Sequence, residues 1–239
     1  MDALPALSVH DLRFSYGDGR TALAGITLAI AAGECVALIG PNGAGKSTLL
    51  LHLNGLLRGS GSVVVSGLTI GHAHMREIRR RVGLVFQDPD DQLFMPSCIE
   101  DVAFGPMNMG LSWTDARERA LEALAAVGMA EHAERAPHHL SVGQRKRVAI
   151  ATVLSMDPDV LALDEPTAGL DPRARRQLIE LLRALPQTRL IATHDLAMVE
   201  ELCTRSLVLD SGVVVADGPT GAILEDARLL QRHGLRDAA

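Results

Sequence analysis

Short uninterrupted apolar runs alternate along this chain with longer segments in which apolar residues recur at helical spacing. The runs Cys35–Ile39, Val160–Leu163 and Arg189–Thr193 are bounded by turn residues, which is typical of strands buried on both faces. The longer segments predict helices, at Lys46–Leu53, Met75–Arg81, Pro172–Ala184 and Leu196–Leu202. Strands that alternate with helices in this way predict an α/β fold around a mostly parallel sheet.

Two parts of the chain depart from this alternation. Near the N-terminus, Val9–Phe14 and Ile26–Ile30 have strand character, so we expect an antiparallel sheet ahead of the parallel one. From Ser97 to Leu154 strand signals vanish and helical ones take over, including Ser112 as an N-cap with Asp115 one turn later. This segment predicts a helical subdomain inserted into the α/β core.

Composition indicates a globular protein and argues against several classes of function. The 239 residues, 47% of them hydrophobic, suffice for one large domain with an apolar core. Lys and Arg number 23 against 29 Asp and Glu, and the longest basic block, Arg79–Arg81, is expected to cap a helix end. A nucleic-acid partner is therefore not indicated. No apolar run approaches the ~20 residues that span a bilayer, and we expect no signal peptide.

Neither the cysteines nor the histidines indicate a metal site. Cys35, Cys98 and Cys203 lie far apart and lack the spacing of metal ligands, so we expect free core thiols in a reducing compartment. The short-spaced histidines are interpreted as surface residues and are not assigned as ligands: His72, His74, His138 and His139.

A phosphate-binding pattern follows the first buried run. Gly40–Thr48 fits the P-loop, in which glycines allow backbone N–H groups to face phosphates. Lys46 is expected to reach the β- and γ-phosphates, and Ser47 to offer its hydroxyl to Mg²⁺. Because the pattern lies between a predicted strand and a predicted helix, we interpret it as an ATP site rather than as a glycine-rich turn.

Further polar side chains follow predicted strands. Asp164 and Glu165 end an apolar run, and adjacent positions on an extended chain point different ways, so two roles can be separated. We expect Asp164 to hold Mg²⁺ and Glu165 to polarise the water that attacks the γ-phosphate. Gln87 could bridge Mg²⁺ or that water, and His194 could contact the γ-phosphate. Since parallel strands place their carboxyl ends at one edge of a sheet, ligands are expected there.

The motifs and their order along the chain resemble those of the nucleotide-binding subunits of ATP-binding-cassette (ABC) transporters. The resemblance covers nearly the whole chain. The resemblance matches Tyr16 to the adenine-stacking aromatic, Gly40–Thr48 to the Walker A loop, Gln87 to the Q-loop, Leu140–Gln144 to the signature, Asp164 and Glu165 to Walker B, Ala168–Asp171 to the D-loop and His194 to the switch histidine. It implies an α/β fold, a P-loop NTPase (RecA-like) core with an antiparallel β subdomain and an inserted α-helical subdomain. The implied boundaries within one domain, 1–239, are 1–88 and 156–239 for the core and 89–155 for the helical signature subdomain.

The resemblance also implies roles for individual residues. It implies catalytic roles for Glu165, His194 and Gln87, Mg²⁺ ligation by Ser47, Gln87 and Asp164, and ATP contacts for Tyr16, Asn42, Gly43, Gly45, Lys46, Ser47, Thr48, Ser141, Gly143, Gln144 and Asp171. The implied assembly is a head-to-tail dimer, in which the signature of one chain completes the ATP site of the other at a helix N-terminus. Because Glu165 and Ser141 are both present, a homodimer is self-sufficient and is the predicted form, and a heterodimer with a degenerate partner stays open. The chain departs from the family at Val142, where glycine is frequent, and a side chain there restricts the backbone.

Two further segments indicate which branch of this family the chain resembles. Val85–Phe94 and Val102–Pro106 resemble the ATPases of energy-coupling-factor (ECF) importers, most of all those for cobalt and nickel. By resemblance, the chain works at the cytoplasmic face of the bacterial inner membrane with a transmembrane coupling protein and a membrane-embedded substrate-binding component. Asp88, Asp90 and Asp91 would border the groove for arginine-bearing helices of the coupling protein. Since, by resemblance, selectivity lies in another polypeptide, an ECF vitamin importer or another ABC transporter stays open as the alternative.

Two other classes of protein fit part of the pattern. Non-transport ABC ATPases that act on DNA or ribosomes usually carry long coiled coils or two cassettes, whereas residues 48–140 contain no heptad run. A P-loop kinase has no use for Leu140–Gln144 or His194. Phosphate release without a phosphorylated acceptor would separate an ATPase from a kinase.

Overall fold

The computed structural model describes residues 4–236, which form two compact units. The first contains the chain up to Leu84, Asp159–Glu165 and the chain from Pro186 onward, and the second contains Val85–Pro158 and Pro166–Leu185. In chain order the strands are β1 (Leu7–Ser15), β2 (Thr21–Ile30), β3 (Cys35–Ile39), β4 (Ser60–Val65), β5 (Leu68–Thr69), β6 (Val82–Val85), β7 (Val160–Asp164), β8 (Thr188–Ala192), β9 (Arg205–Asp210) and β10 (Val213–Pro219). The helices are α1 (Lys46–Leu53), α2 (Met75–Arg81), α3 (Cys98–Asn108), α4 (Trp113–Ala126), α5 (Val142–Leu154), α6 (Pro172–Ala184), α7 (Leu196–Leu202), α8 (Thr220–Glu225) and α9 (Ala227–Arg232).

The N-terminal sheet of the first unit is antiparallel, with the strand order β2-β1-β4-β5. This confirms the antiparallel sheet predicted from the sequence. Strand β2 begins at Thr21, although its pattern predicted a start at Ile26, because Phe14 and Arg13 of β1 pair with the earlier residues. The alanines and glycine of that first half have weak strand propensity, so pairing rather than propensity extends the strand.

Six strands form the second sheet, in the order β10-β9-β3-β8-β7-β6. Strand β3 lies between β8 and β9 and is parallel to both, and β10 joins the edge antiparallel to β9. Every residue of β3 and β8 is buried, as expected for parallel strands covered on both faces. Ala192 is in register with both Leu38 and Asp164. The carboxyl ends of β3, β7 and β8 therefore share one edge, which confirms the predicted convergence.

The helices of the first unit largely confirm the sequence pattern. Helices α1, α2 and α7 have the bounds that the pattern predicted, and the arginines of Arg79–Arg81 lie in the last turn of α2. Within that helix, Arg80 and Arg81 pair with Glu77 at 2.9 and 2.7 Å. The short helices α8 and α9 were not predicted, because each buries too few residues to give a periodic signal.

The second unit contains four helices, and each begins at a side chain that caps it. The capping residues are Ser97, Ser112, Ser141 and Asp171. The cap predicted before α4 is confirmed, since the Asp115 N–H donates to the Ser112 hydroxyl. Helix α4 buries Ala116, Ala120 and Leu124 completely, and its small side chains allow close packing against α3 and α5.

The predicted subdomain boundaries at 89 and 155 stay a prediction. The second unit begins at Val85, ends its first segment at Pro158 and also includes α6, which follows the D-loop segment. Within residues 4–236, no helix is both long and apolar enough to cross a membrane.

Candidate nucleotide site

The P-loop of the first unit owes its shape to glycines with left-handed backbone. Gly43 and Gly45 have φ angles of 80° and 106°, which side-chain-bearing residues rarely adopt. A Cβ on Gly45 would also lie 2.5 Å from the Ala22 carbonyl oxygen, whereas one on Gly43 would meet no heavy atom within 4 Å. Glycine is therefore required at position 45 because a side chain would clash and because the φ angle is positive. At position 43 the positive φ angle is the reason. Asn42, Gly43 and Ser47 are exposed around this loop.

Lys46 begins α1 and folds back over the loop. Its Nζ donates hydrogen bonds to the carbonyl oxygens of Gly40 and Pro41, at 2.7 and 3.0 Å. Burial lowers the pKa of the Lys46 ammonium, and the negative charges of Glu165 and Asp164 partly offset that shift. The lysine and both carboxylates that follow the apolar run of β7 thus act on one another electrostatically.

Tyr16 lies next to the start of α1. Its Oη is 2.9 Å from the Oγ1 of Thr48, and its ring packs edge-on against Phe14 with centroids 5.0 Å apart. The guanidinium carbon of Arg20 lies 5.3 Å from the Tyr16 ring centroid. The aromatic residue and the P-loop threonine are therefore brought together, as expected if the ring stacks on the base of a nucleotide held by the loop.

Glu165 has a strained backbone at the end of β7. Its φ angle is 42°, a left-handed value that is uncommon for a residue with a side chain, and its N–H donates to the Ala192 carbonyl at 2.8 Å. The residue is only 7% exposed, whereas Asp164 is partly exposed. Such strain persists where surrounding contacts fix it, and it is frequent at functional sites.

Two residues that follow β8 hold the Glu165 carboxylate. The Thr193 hydroxyl donates to Oε2 at 2.9 Å, and the Nδ1 of His194 lies 2.7 Å from Oε1. The side chain of His194 is 67% exposed, so its ring reaches from the buried carboxylate to solvent. The Thr193 hydroxyl also accepts from the Asp195 N–H. Sequence reasoning treated Thr193 only as the end of a strand, and its signal was a hydroxyl directly before the predicted switch histidine.

The donor set fits Mg²⁺ better than a transition metal. Ser47 and Asp164 offer a hydroxyl and a carboxylate oxygen, which are ligands that Mg²⁺ prefers. Within residues 4–236 there is no group of three or more His, Cys, Asp or Glu side chains able to hold a metal ion. Mg²⁺ usually relies on one or two carboxylates together with substrate phosphates and water, so the protein need not enclose the ion by itself.

The signature residues lie in the second unit, at the N-terminus of α5. The Ser141 hydroxyl accepts from the Gln144 N–H, and the Gln144 Oε1 accepts from the Ser141 N–H at 2.9 Å, so the two form a capping box. The Gln144 Nε2 lies 3.0 Å from the Nε2 of His132. Val142 is the first residue of α5 and is 39% exposed. A helical backbone there tolerates a side chain, so the departure from glycine causes no strain.

Gly143 and Asp171 link the signature to the helix that follows the D-loop. A Cβ on Gly143 would lie 3.0 Å from the Ala174 Cβ, so glycine allows α5 and α6 to approach closely. The Asp171 carboxylate caps α6 by accepting from the N–H groups of Arg173 and Ala174, and these bonds hold its pKa below the usual value. Ser141, Gly143, Gln144 and Asp171 line one pocket of about 330 Å³.

The Gln87 segment is fastened to α5 within the same unit. The Nζ of buried Lys146 donates to the Gln87 carbonyl at 3.0 Å. The Gln92 side chain accepts from the Phe86 N–H and donates to the Ala149 carbonyl and the Thr152 hydroxyl, at 3.1, 2.9 and 2.7 Å. The sequence did not predict the hydrogen bonds of either Lys146 or Gln92. The only signal was the position of Gln92 within the segment that resembles ECF ATPases.

A groove of about 420 Å³ runs beside this segment. It is lined by Gln87, the acidic run at 88–91 and residues of α5 and of the D-loop. Asp88 caps the short 3₁₀ turn Pro89–Asp91, and Asp90 pairs with Arg145 at 3.1 Å. The predicted acidic border of a groove is therefore present, although one of its aspartates is already paired within the chain.

The structure places the predicted site residues in two groups. The first unit contains Tyr16, Asn42, Gly43, Gly45, Lys46, Ser47, Thr48, Asp164, Glu165 and His194. The second unit contains Gln87, Ser141, Gly143, Gln144 and Asp171. The first group can bind the phosphates and act on water, whereas the second supplies a helix N-terminus with a serine hydroxyl.

Sequence comparisons point to one family. The ABC transporter family matches residues 23–168. An ABC transporter ATP-binding protein of Streptomyces avermitilis, whose name specifies no cargo, is 56% identical over 97% of this chain and 88% of its own length. The energy-coupling factor transporter ATP-binding protein EcfA of Carboxydothermus hydrogenoformans is 48% identical over 97% and 87% of the two chains. The cobalt import ATP-binding protein CbiO of Rhodobacter capsulatus is 48% identical over 97% and 85%.

Solved structures agree with the sequence comparisons. CbiO1 from Clostridium perfringens, part of the ABC transporter complex CbiONQ, matches with a TM-score of 0.84 at 40% identity, over 98% of this chain and 96% of that chain. The ATP-binding cassette MJ0796, solved as a dimer bound to ADP and Pi, matches with a TM-score of 0.78 at 28% identity, over 90% and 98%. The chain therefore belongs to the ABC transporter family, as an ATP-binding subunit that resembles EcfA and CbiO and couples ATP hydrolysis to transport.

Proposed function

We propose that this ATPase drives an importer of the energy-coupling-factor type that carries cobalt or nickel ions. The observation that supports the ATPase chemistry most directly is the buried Glu165 carboxylate, held by Thr193 and His194 and electrostatically linked to Lys46. The relatives named for energy coupling and for cobalt import support the transport branch.

In the proposed reaction, water attacks the γ-phosphate of ATP. Glu165 orients and polarises that water, the new P–O bond forms as the bond to the β-phosphate oxygen breaks, and ADP leaves. Lys46 would exchange its two carbonyl partners for phosphate oxygens, because its ammonium is already aimed along the P-loop. Tyr16 would stack on the adenine, and Asn42, Gly43, Gly45 and Thr48 would line the phosphate cradle.

Two further residues are assigned to the reacting end. His194 would contact the γ-phosphate from its exposed ring while its Nδ1 stays beside Glu165. Gln87 would contact Mg²⁺ or the attacking water. Ser47, Asp164 and Gln87 would hold Mg²⁺, which when bound neutralises phosphate charge during the transfer.

We propose that ATP is shared between two copies of this chain, paired head to tail. One chain holds both a complete phosphate-binding group and a complete signature, so a homodimer is self-sufficient. Ser141, Gly143 and Gln144 of one copy would then face the P-loop of the other, with Asp171 beside them. The dimeric form of MJ0796 supports this arrangement.

The proposed membrane partners are a transmembrane coupling protein and a membrane-embedded substrate-binding component. They place the ATPase at the cytoplasmic face of the bacterial inner membrane. The groove beside Gln87 would receive helices of the coupling protein, since its exposed acidic rim at Asp88 and Asp91 complements arginine. The membership of CbiO1 in the complex CbiONQ supports such partners.

The proposal is tested by purifying the tagged chain from detergent-solubilised native membranes and identifying co-purifying proteins by mass spectrometry. We expect a small integral coupling protein and a membrane substrate component, whose reconstitution gives ATP-dependent uptake of labelled cobalt or nickel. Uptake of a vitamin instead would refute the metal assignment and retain the ECF assignment. Recovery of ribosomal or DNA-processing proteins without a membrane partner would refute transport altogether.

A further inference from the structure

We propose that Cys35 and Cys203 form an oxidisable dithiol, which hydrogen peroxide converts into an intramolecular disulfide in the first unit. Their Sγ atoms lie 3.5 Å apart, although 168 positions separate the two residues in the sequence. Cys35 begins β3, and Cys203 follows the last turn of α7 as its C-cap. Both residues are buried, at 6% and 4% exposure, so the pair meets inside the fold rather than at its surface.

The surroundings of the pair favour a thiolate on Cys35. Arg189 of β8 is the register partner of Cys35 on the neighbouring parallel strand, and it too is buried. The contact with the Cys203 sulfur lowers the pKa of Cys35 and the Arg189 charge acts in the same direction, whereas burial raises it. The same contact raises the pKa of Cys203. Because Arg189 is in register with Cys35, we assign Cys35 as the nucleophile of the pair and Cys203 as the thiol that resolves it.

The oxidation proceeds in two balanced steps. The Cys35 thiolate attacks one oxygen of hydrogen peroxide, the O–O bond breaks, and hydroxide leaves as Cys35 becomes a sulfenic acid. The Cys203 sulfur then attacks the sulfenic sulfur of Cys35, the S–O bond breaks, and the second oxygen leaves as water once the thiol proton is transferred. In total, two thiols and one peroxide give one disulfide and two waters.

The pair needs little movement to form the bond. The two sulfur atoms must approach by about 1.5 Å to reach the length of a disulfide. Cys203 has an extended backbone, with φ of −106° and ψ of 132°, where the seven-residue helix α7 has already ended.

Buried thiols are usually inert small hydrophobes, and Cys98 provides that comparison inside the same chain. It lies in α3 of the second unit, where burial and the neighbouring Asp101 charge raise the pKa of its thiol to about 11. Oxidation caused by general unfolding would affect all the cysteines. Oxidation caused by the geometry would select Cys35 and Cys203.

A disulfide at this place would join two segments that lead to the ATP site. Strand β3 runs from Cys35 towards the P-loop, and α7 begins after His194 and its N-cap Asp195 and ends directly before Cys203. The bond would fix the beginning of the P-loop strand to the end of the helix that follows the switch histidine. We therefore expect oxidation to raise the midpoint of thermal unfolding, and reduction to reverse the rise.

The experiment treats the folded, fully reduced chain with hydrogen peroxide, then denatures it, alkylates the remaining thiols and measures the intact mass and peptide map. We expect alkylation at Cys98 alone, a mass about 2 Da lower before alkylation, and full recovery with dithiothreitol. The Cys98→Ser variant should oxidise in the same way. The Cys35→Ser and Cys203→Ser variants should form no intramolecular disulfide.

Any one of the following results would overturn the proposal. One is retention of all the thiols under peroxide concentrations that oxidise a free model dithiol. Another is oxidation of Cys98 as fast as Cys35 in the folded protein. The last is a disulfide found only between chains on a non-reducing gel, or an unchanged mass loss in the Cys203→Ser variant.

Discussion

Replacing Thr193 with valine removes the hydroxyl that holds Glu165 while keeping the size and branching of the side chain. Thr193 is completely buried, and its hydroxyl donates to the Glu165 Oε2 at 2.9 Å. Valine removes that bond and leaves in place the longer bond to the same oxygen from the His194 N–H, at 3.4 Å. Thr193 is thus a positioning residue, which acts on the reaction through Glu165.

The size of the effect follows from the kind of bond that is lost. A hydrogen bond to a charged group contributes about 1.5–3 kcal/mol, and each 1.4 kcal/mol changes a rate by about tenfold. Because the Oε1 of Glu165 keeps His194 at 2.7 Å, the carboxylate stays partly oriented and we expect the lower end of the range. The predicted fall in kcat is about tenfold, with KM for ATP unchanged because Lys46 and the P-loop are untouched.

The assay is steady-state phosphate release by the purified variant, with thermal unfolding measured in parallel. Thr193→Ser is the matched control, since it keeps the hydroxyl and loses only a methyl group, and we expect it to retain most of the wild-type kcat. Wild-type turnover in Thr193→Val would refute the positioning role. An equal fall in both variants would show that packing, and not the hydrogen bond to Glu165, carries the effect.

Four other perturbations follow from the structure. Gly45→Ala should destabilise the fold and abolish ATP binding, because its Cβ would lie 2.5 Å from a carbonyl oxygen of β2. Gly43→Ala should also lose ATP binding, but with a smaller fall in the unfolding midpoint, because no heavy atom lies within 4 Å of its Cβ. Equal unfolding midpoints for the two variants would contradict this. Gln92→Leu removes three hydrogen bonds and should lower the free energy of unfolding by about 1–3 kcal/mol in denaturant titration, with Gln92→Glu intermediate. Burial lowers the pKa of His52 in the folded protein. The contribution of His52 to stability is therefore complete above its unfolded pKa of about 6.5 and is lost as pH falls through the lower folded pKa. Below a pH of about 6.5, the unfolding midpoint of His52→Leu, measured by calorimetry, should vary less with pH than that of the wild-type protein. Chelation of Mg²⁺ should abolish phosphate release and added Mg²⁺ should restore it, and turnover that survives chelation would count against the metal assignment.

Much of the fold could be predicted from the sequence, because its strands and helices are locally consistent. The pattern gave the observed bounds of several elements: β3, α1, α2, α6 and α7. Local signals were weaker where tertiary pairing decides the structure, as in the first half of β2, which pairs with β1. Helices α8 and α9 are too short for a periodic pattern.

The motifs of the site were also readable, since each combines a fixed spacing with a recognisable turn. What could not be predicted were contacts between residues distant in the sequence. Thr193 meets Glu165 across 28 positions, and Gln92 meets Ala149 across 57. The sequence around Thr193 and Gln92 contains no local pattern that predicts such a partner. Only the folded chain shows which hydroxyl and which amide support the catalytic groups.

Each ATP site is proposed to take its P-loop from one chain and its signature from another, and mixing two inactive variants distinguishes this arrangement from a site within one chain. Glu165→Gln removes the proposed water-polarising carboxylate, and Ser141→Asp keeps a good helix N-cap but places a negative charge where phosphate would bind. Each variant alone should be nearly inactive. An equimolar mixture should recover about a quarter of wild-type phosphate release, because half of the dimers are mixed and each has one intact site. If the mixture stays as inactive as its components, each site lies within one chain and the account is contradicted.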